Sequence, residues 1–205
     1  MKRWLVLLLV CVCVAACDDA TGPERGIPRE FAFGDPVGDT AAFAGSVDTF
    51  PALDVRRVSG VVSDDSLVFT MEFTDLIAPA GDDAPNSFVA LLGVDADDDG
   101  RTGAEAILDP FPSTSDAGVE YWIFVDPASN SNAEVQTVTQ KTVGIFPASY
   151  GATSITMRIP LSAIGLRRGE RFRVVGVIGT LQRFTDLIPN SASYVIMGSD
   201  IGGSE

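Results

Sequence analysis

The chain has 205 residues, with 28 acidic side chains against 14 basic ones, a formal net charge of −14 and no histidine. A negative surface of this size argues against binding to nucleic acid or to anionic lipid headgroups, and it favours cations. The absence of histidine removes the Ser-His-Asp and Cys-His nucleophile systems and the commonest protein ligand of zinc and haem. The chemistry that remains for catalysis is that of carboxylates, as in glycosidases.

The N-terminal segment is typical of a bacterial secretory signal. Lys2 and Arg3 precede an unbroken apolar run over 4–16, which ends in Val-Ala-Ala directly before Cys17. This order resembles the lipobox of bacterial lipoproteins, which implies cleavage before Cys17 and acylation of its side chain. A helix over the apolar run would be about 20 Å long, too short for a hydrocarbon core of about 30 Å. An ordinary signal peptide with an incidental cysteine is the alternative.

We therefore predict three segments: a signal peptide over 1–16, a polar, lipidated tether over 17–30 and a folded domain over 31–205. Two or more acyl chains hold a protein on a membrane far better than one. We expect a protein anchored by lipid in the bacterial cell envelope, at the periplasmic face or at the cell surface. Cys11 and Cys13 lie in the signal segment, so no disulfide is available to the domain and its fold depends on a hydrophobic core.

Apolar alternation predicts β-strands along the rest of the chain. In 66–74 and in Ser154–Pro160 every second residue is apolar, which is typical of a strand with one buried face. Runs that are apolar on both faces predict central strands at 88–94, 121–125 and 172–180. Further candidate strands are 55–63, 134–139 and 193–197, and the one helical candidate is 161–166. Many short strands between turn signals predict an all-β fold, a two-sheet antiparallel sandwich of jelly-roll or immunoglobulin type.

An Asp-rich segment in the middle of the chain carries the sharpest internal motif. Asp95, Asp97 and Asp99 precede Gly100, which reproduces the first half of a calcium loop, where alternate carboxylates converge and Gly permits a sharp bend. Hard carboxylate oxygens suit Ca²⁺. The second half of an EF-hand is missing, because Ala106 stands where the final Glu of the loop would be. The alternative is a metal-free turn in which the side chains cap backbone amides.

A second acidic turn opens the domain. Pro36 and two Gly residues predict a tight turn that presents Asp35 and Asp39. Both are candidates to complete the metal shell of the Asp-rich loop from across the fold. The alternative, that they are ordinary turn residues, stays open.

The order of these motifs resembles the DOMON-like group of extracellular β-sandwich modules, which includes family-nine carbohydrate-binding modules. The segments that carry the resemblance are DPVGD at 35–39, the strand at 67–73, VDADDDGRTG at 94–103, GVEY at 118–121, SITMRIPLSAIG at 154–165 and DLIP at 186–189. The resemblance implies two antiparallel sheets, structural calcium, and a ligand that is a sugar or, in some branches, haem. Haem is not expected, because its axial ligands would be His, which is absent, or Met, and Met71 and Met157 belong to predicted buried faces.

Sugar binding requires aromatic rings against which pyranose rings can stack. The candidates are Trp122, Tyr121 and Tyr150. Trp122 and Tyr121 are neighbours on a predicted strand and face opposite sides of it. One of the two is expected in the core and the other at a surface; we expect Trp122 to be buried at the centre of the sandwich, and the alternative, that Trp122 reaches a surface and binds the sugar, stays open.

These observations predict a lipid-anchored, exported binding module that is not an enzyme, with carbohydrate as its ligand and Ca²⁺ in the Asp-rich loop. Its expected partners are the membrane, through the lipid on Cys17, and a glycan or an envelope protein, but not nucleic acid. Two alternatives stay open: a structural or adhesive envelope lipoprotein that makes protein contacts, and a small carboxylate-based hydrolase.

A group of four basic residues stands out in this acidic chain; it comprises Arg167, Arg168, Arg171 and Arg173. It is interpreted either as a strand face paired with carboxylates or as an anion-binding patch.

Overall fold

The computed structural model describes residues 30–40, 51–82, 84–107, 114–167, 170–189 and 194–196. Its strands are β1 (Glu30–Gly34), β2 (Val55–Ser63), β3 (Ser66–Phe73), β4 (Phe88–Asp95), β5 (Ala104–Ile107), β6 (Thr114–Val119), β7 (Tyr121–Val125), β8 (Ala133–Thr137), β9 (Thr142–Phe146), β10 (Ala148–Tyr150), β11 (Ser154–Pro160), β12 (Phe172–Thr180), β13 (Arg183–Ile188) and β14 (Tyr194–Ile196). Short 3-10 turns cover Ala80–Asp82, Pro127–Ser129 and Leu161–Ile164.

The strands form two large antiparallel sheets that pack face to face. The smaller sheet has the order β1-β2-β3-β11-β10, and the larger one has the order β13-β12-β4-β7-β8-β9, with β14 also paired to β12. Strands β5 and β6 form a separate hairpin. The prediction of an all-β, two-sheet antiparallel sandwich is confirmed.

The core between the sheets follows from the alternation of apolar residues. In β3 the apolar positions are buried and the positions between them are half-buried. The largest fully buried side chains of the two sheets are Phe73, Met71, Ile155, Met157, Ile159, Phe88, Leu92, Phe172, Ile178 and Ile188. Burial of one such side chain contributes about 1.5–3 kcal/mol, so this layer holds the sheets together without a disulfide.

The β5–β6 hairpin covers part of the outer face of the larger sheet. Ala117 and Val119 of β6 are buried there against a small apolar cluster that comprises Val175, Val177 and Leu187. Gly93 of β4 permits the contact, because a Cβ at this position would lie 2.7 Å from Cγ2 of Val119. The hairpin therefore lies against the end of β4, where the Asp-rich loop begins.

The predicted strands agree best with the structure where they are central. The predicted bounds match β2, β7, β11 and β12, and they lie within one residue of those of β3 and β4. Strand β8 begins one residue earlier and ends two residues earlier than predicted, and the helical candidate is a single 3-10 turn. The strands that were not predicted (β1, β5, β6, β9, β10 and β13) lie at sheet edges or in the separate hairpin.

The edge strands β1, β9 and β10 have no fully buried side chain, so their apolar pattern is weak, whereas β13 buries four of its six residues, among them the polar Thr185 and Asp186. Strand β1 begins at Glu30, the last residue assigned to the tether. The signal segment, Cys17 and the rest of the tether lie outside the described residues.

Candidate cation and ligand site

The Asp-rich loop lies at one end of the sandwich, where β4 ends at Asp95 and β7 begins at Tyr121. The two strands are paired, with Val94 opposite Tyr121, so Glu120 comes to lie beside the loop. One carboxylate oxygen from each of Asp95, Asp97 and Glu120 lies within 4.8 Å of the other two. We call these three residues the loop triad.

Hydrogen bonds surround the loop triad with oxygen atoms. Glu120 Oε2 accepts a bond from the N–H of Ala96 at 2.8 Å. The Thr102 hydroxyl lies 3.0 Å from both carboxylate oxygens of Asp97, 2.9 Å from the carbonyl oxygen of Asp99 and 3.1 Å from Glu120 Oε1. A hydroxyl has one proton to donate, so it can satisfy one of these acceptors at a time. The remaining lone pairs are suited to a cation.

Asp95 is the buried member of the loop triad, with 0% of its surface exposed. Its Oδ2 accepts a bond from the N–H of Gly118 at 3.3 Å, whereas Oδ1 has no hydrogen-bond partner within the described ranges. Burial raises the pKa of Asp95, against the lowering effects of the Gly118 N–H and of Arg173. A buried polar group without a partner costs about 1–3 kcal/mol, and more when it is charged, so a cation here would offset a real penalty.

The loop turns at Gly100, where the calcium-loop motif predicts the bend: Gly100 and Arg101 are the central residues of a turn closed by a bond of 3.0 Å from the N–H of Thr102 to the carbonyl oxygen of Asp99. The left-handed backbone conformation lies at Asp98, with a φ of 57°, so a positive φ does not explain the glycine. Gly100 is needed for a different reason, because a Cβ there would overlap the carbonyl oxygen of Asp116 in β6. The close approach of the β5–β6 hairpin therefore explains the glycine.

Asp99 does not join the loop triad. Arg101 binds it, with Nε 2.8 Å from Oδ1 and Nη2 2.7 Å from Oδ2, and the Arg101 side chain is 89% exposed. Hydrogen bonds from Arg101 lower the pKa of Asp99 to about 2. The structure thus differs from the expected set of alternating aspartates, because strand pairing brings Glu120 to the position that the motif assigns to a loop residue.

Two members of the basic group pair with the loop. Arg173 Nε lies 2.6 Å from Asp98 Oδ1, and Arg171 Nε lies 3.0 Å from Asp98 Oδ2. Arg173 Nε is also 3.7 Å from Oδ2 of Asp95. This arrangement agrees with the interpretation of a strand face paired with carboxylates. The side chain of Arg168 lies outside the described residues.

A cleft of about 650 Å³ opens beside the loop triad. Its lining includes Asp97, Glu120, Tyr121, Arg167 and Arg171. The volume lies within the range of about 300–1,000 Å³ that is common for small-molecule sites. Acceptors and donors meet in the same space, so the cleft suits a polar ligand that both donates and accepts hydrogen bonds.

The three aromatic candidates for sugar binding lie in three different places. Tyr121 lines the cleft and packs against the main core. Trp122 is half-buried on the outer face of the larger sheet, so the expectation that it is the centre of the sandwich is wrong. Tyr150 donates its hydroxyl to the carbonyl of Ser131 at 2.9 Å in a separate, smaller cleft, and burial raises its pKa to about 12. Of the three, Tyr121 alone adjoins the loop triad.

The other acidic turn does not complete the loop triad. Asp35 and Asp39 gather instead with Asp186 of β13, and one carboxylate oxygen of each lies within 4.8 Å of the other two. Asp95 and Asp186 pair with positions of β12 that are five residues apart, which corresponds to about 17 Å along a strand. The structure therefore separates the expected single metal shell into two groups at opposite ends of the sandwich.

Glu120, Thr102 and Asp186 were not predicted from the sequence. Glu120 carried a usable signal, because it directly precedes the apolar run 121–125, and pairing of that run with 88–94 places it beside the Asp-rich loop. Thr102 and Asp186 lie in segments that carry the resemblance, but nothing in the sequence marks them as members of a site, since their contacts depend on the loop conformation and on the packing of one sheet against the other.

No protein-family model matches this chain, and no curated protein matches it. In the ranges that the structure covers, none of the helices combines the length and the apolar character needed to cross a bilayer. The site geometry and the N-terminal sequence motif are therefore the basis for assigning a function.

Proposed function

We propose that this chain is a lipid-anchored, exported binding module that holds a carbohydrate in the cleft beside Asp97, Glu120 and Tyr121, with Ca²⁺ at the loop triad. The observation that carries the proposal is the position of the loop triad, with its buried and unpartnered Asp95 oxygen, next to a polar cleft. The lipobox at Cys17 supports the anchor, and the resemblance to DOMON-like modules supports a sugar as the ligand class.

Calcium fits the donor set of the loop triad. Ca²⁺ takes about 6–8 oxygen ligands in a flexible geometry, and Asp95, Asp97 and Glu120 supply carboxylate oxygens from a loop and from the start of a neighbouring strand. Zinc and copper prefer nitrogen or sulfur ligands, which this group does not contain. A bound ion would hold the Asp-rich loop against β7 and shape one wall of the cleft.

A polyhydroxylated ligand fits the lining of the cleft. Sugar hydroxyls donate to the carboxylates of Asp97 and Glu120 and accept from the guanidinium of Arg171. The ring of Tyr121 offers an apolar surface to one face of a pyranose. An apolar ligand would instead desolvate these charged groups without compensation.

A glycan array tests the ligand class and the site together. The full chain with Cys17→Ser is applied in Ca²⁺ and in EDTA, beside the same chain with Glu120→Gln. We expect glycan binding in Ca²⁺ that is lost in EDTA and in Glu120→Gln. The matched control is Glu105→Gln, which changes an exposed residue of β5 and should leave binding intact. Failure to bind any glycan in Ca²⁺ would overturn the carbohydrate assignment.

Cell fractionation tests the anchor. The wild-type chain should remain with membranes and require detergent for release, whereas Cys17→Ser should appear in the soluble fraction, because the acyl chains supply the membrane affinity. An unchanged distribution of the variant would contradict lipidation at this residue.

A second candidate function, contact with an envelope protein, is favoured by one edge of the larger sheet. Val138, Val143 and Ile145 are 37%, 44% and 54% exposed, and β9 ends the strand order of that sheet. An edge strand with exposed apolar side chains can pair with a strand of a partner. Ile145→Lys should abolish capture of such a partner and leave glycan binding unchanged, because Ile145 does not line the cleft. Capture that persists in this variant would exclude the β9 edge as the contact surface.

A further inference from the structure

The second acidic group joins the two sheets at the end of the sandwich away from the loop triad. Asp35 follows β1 directly, Asp39 lies four residues further on, and Asp186 belongs to β13 of the other sheet. Their carboxylates meet with oxygens within 4.8 Å of one another. We call these three residues, together with Asp54, which directly precedes β2, the cross-sheet cluster.

Most of the cross-sheet cluster is buried. Asp35 and Asp54 are each 6% exposed, and Asp186 is 1% exposed. Asp54 Oδ2 accepts a bond of 2.8 Å from the N–H of Gly38, in the turn between Asp35 and Asp39. Asp54 Oδ1 is buried and makes no hydrogen bond to any residue that the structure describes. Buried carboxylate oxygens are ordinarily bonded, so this atom is an independent sign that the cluster takes a positively charged ligand.

Repulsion among the carboxylates of the cluster also favours a bound cation. Burial, together with the charges of Asp186, Asp39 and Asp54, raises the pKa of Asp35 to about 7. Burial also raises the pKa of Asp186 to about 7, with Asp39 and Asp54 adding to the effect and backbone N–H groups opposing it. Carboxylates held this close repel one another, and a cation among them offsets that repulsion.

We propose that the cross-sheet cluster binds a second Ca²⁺ ion, which clamps β1 and β2 of one sheet to β13 of the other. The donors in the cluster are carboxylates, which favour a hard cation. Asp186 Oδ2 already accepts the N–H of Val55 at 2.7 Å, so the ion strengthens an existing link between the sheets. Of the four members only Asp39 is exposed, which indicates a structural ion and not one shared with a ligand.

The test separates this site from the loop triad by removing the triad first. The full chain with Cys17→Ser and Glu120→Gln is titrated with CaCl₂ by calorimetry and melted in Ca²⁺ and in EDTA. We expect one bound ion and a melting temperature several degrees higher in Ca²⁺. Adding Asp39→Asn should abolish both effects. In EDTA the same substitution should raise the melting temperature, because it removes one repelling charge.

Two further variants serve as controls for the assignment of the second ion to the cross-sheet cluster. Asp82→Asn, at an exposed position outside the cluster, should leave Ca²⁺ binding unchanged. Asp54→Asn should act like Asp39→Asn; if it does not fold, the exposed Asp39 still gives the answer. The proposal is overturned if the Glu120→Gln chain binds no Ca²⁺ and melts identically in EDTA, or if Asp39→Asn retains the ion. A chain that binds no glycan but still binds Ca²⁺ at the cross-sheet cluster would contradict the proposed function and not this second site.

Discussion

The loop triad and the cross-sheet cluster use the same carboxylate chemistry in opposite surroundings. The loop triad borders an open cleft and has protein donors beside it, among them the Thr102 hydroxyl and the Arg173 guanidinium. The cross-sheet cluster is closed, with Asp39 as its exposed member, and the charges that act on the pKa of Asp35 are those of other carboxylates. The number of carboxylates therefore does not define the role of an acidic group; access and the nearness of positive charge do.

Access separates a structural ion from one that can contribute to ligand binding. Structural metal sites are typically closed, whereas functional ones keep a position open to solvent or ligand. On this criterion the loop triad, of which Asp97 and Glu120 line the cleft, is the group that we propose to contribute to ligand binding. The cross-sheet cluster belongs with stability, because Asp54 and Asp186 are buried between elements of different sheets.

Removal of Ca²⁺ from both groups should have the largest effect. An ion present at 100 times its Kd stabilises the folded chain by about 2.7 kcal/mol, so two independent ions contribute about 5 kcal/mol. For a chain of this size that corresponds to about 10–20 °C in Tm. Calorimetry of the wild-type chain in Ca²⁺ and in EDTA measures this difference in Tm. The single variants Glu120→Gln and Asp39→Asn should each retain about half of the difference. Superimposable melting curves would contradict both sites.

Arg173 places a positive charge beside the loop triad, and substitution of this residue measures what the charge contributes to stability. Arg173→Met should lower the free energy of unfolding in EDTA by about 2 kcal/mol, since it leaves the buried Asp95 without its cation, whereas Asp98 keeps Arg171. The matched control is Arg101→Met, whose solvent-exposed pair with Asp99 should contribute much less to the free energy of unfolding. Urea denaturation measures both, and equal losses would show that the burial of Arg173 does not matter.

The cross-sheet cluster should make the metal-free protein less stable as the pH rises. Asp35 and Asp186 have raised pKa values of about 7 against a usual 3.8, so the folded state holds more protons between these values. Because the folded state then binds more protons than the unfolded state, stability falls from about pH 4 to about pH 7, by several kcal/mol.

Asp39→Asn should make this fall shallower, because it removes a charge that raises both pKa values. Urea denaturation in EDTA at several pH values measures it for the wild-type chain and the variant. Identical slopes would show that Asp39 does not act on the two buried groups.

The smallest effect concerns the choice of surface for the glycan. Tyr121→Leu should weaken binding of a glycan found on the array by about two- to tenfold, because stacking on an aromatic ring contributes about 0.5–1.5 kcal/mol. Trp122→Leu, on the neighbouring residue that faces the outer side of the sheet, should change the affinity by less than about twofold. Titration calorimetry compares them, and the opposite ranking would move the ligand to the outer face.

The sequence predicted the central strands well and the edges poorly, for a physical reason. A central strand such as β12 is covered by neighbours, so burial selects an apolar residue at nearly every position and leaves a continuous signal. Strand β13 sits at a sheet edge, and its residues Arg183 and Asp186 interrupt any apolar alternation. Its fourth residue is nevertheless a member of the cross-sheet cluster.

The candidate sites were predicted in part. Asp95 and Asp97 follow a local motif, and the structure brings them together as expected. Asp99, from the same motif, is bound by Arg101 instead, because a long flexible guanidinium two residues away reaches it in the turn. Trp122 was placed on the wrong face, since alternation shows only that it and Tyr121 point in opposite directions.

By itself, the sequence determined that the domain is a disulfide-free β-sandwich without histidine chemistry, because a period of two and the residue types are local properties. Only the tertiary structure decided which carboxylates meet. Glu120 joins the Asp-rich loop through the pairing of β7 with β4, and Asp186 joins Asp35 across two sheets. Such contacts depend on strand order and register between residues far apart in the chain, and no local pattern encodes them.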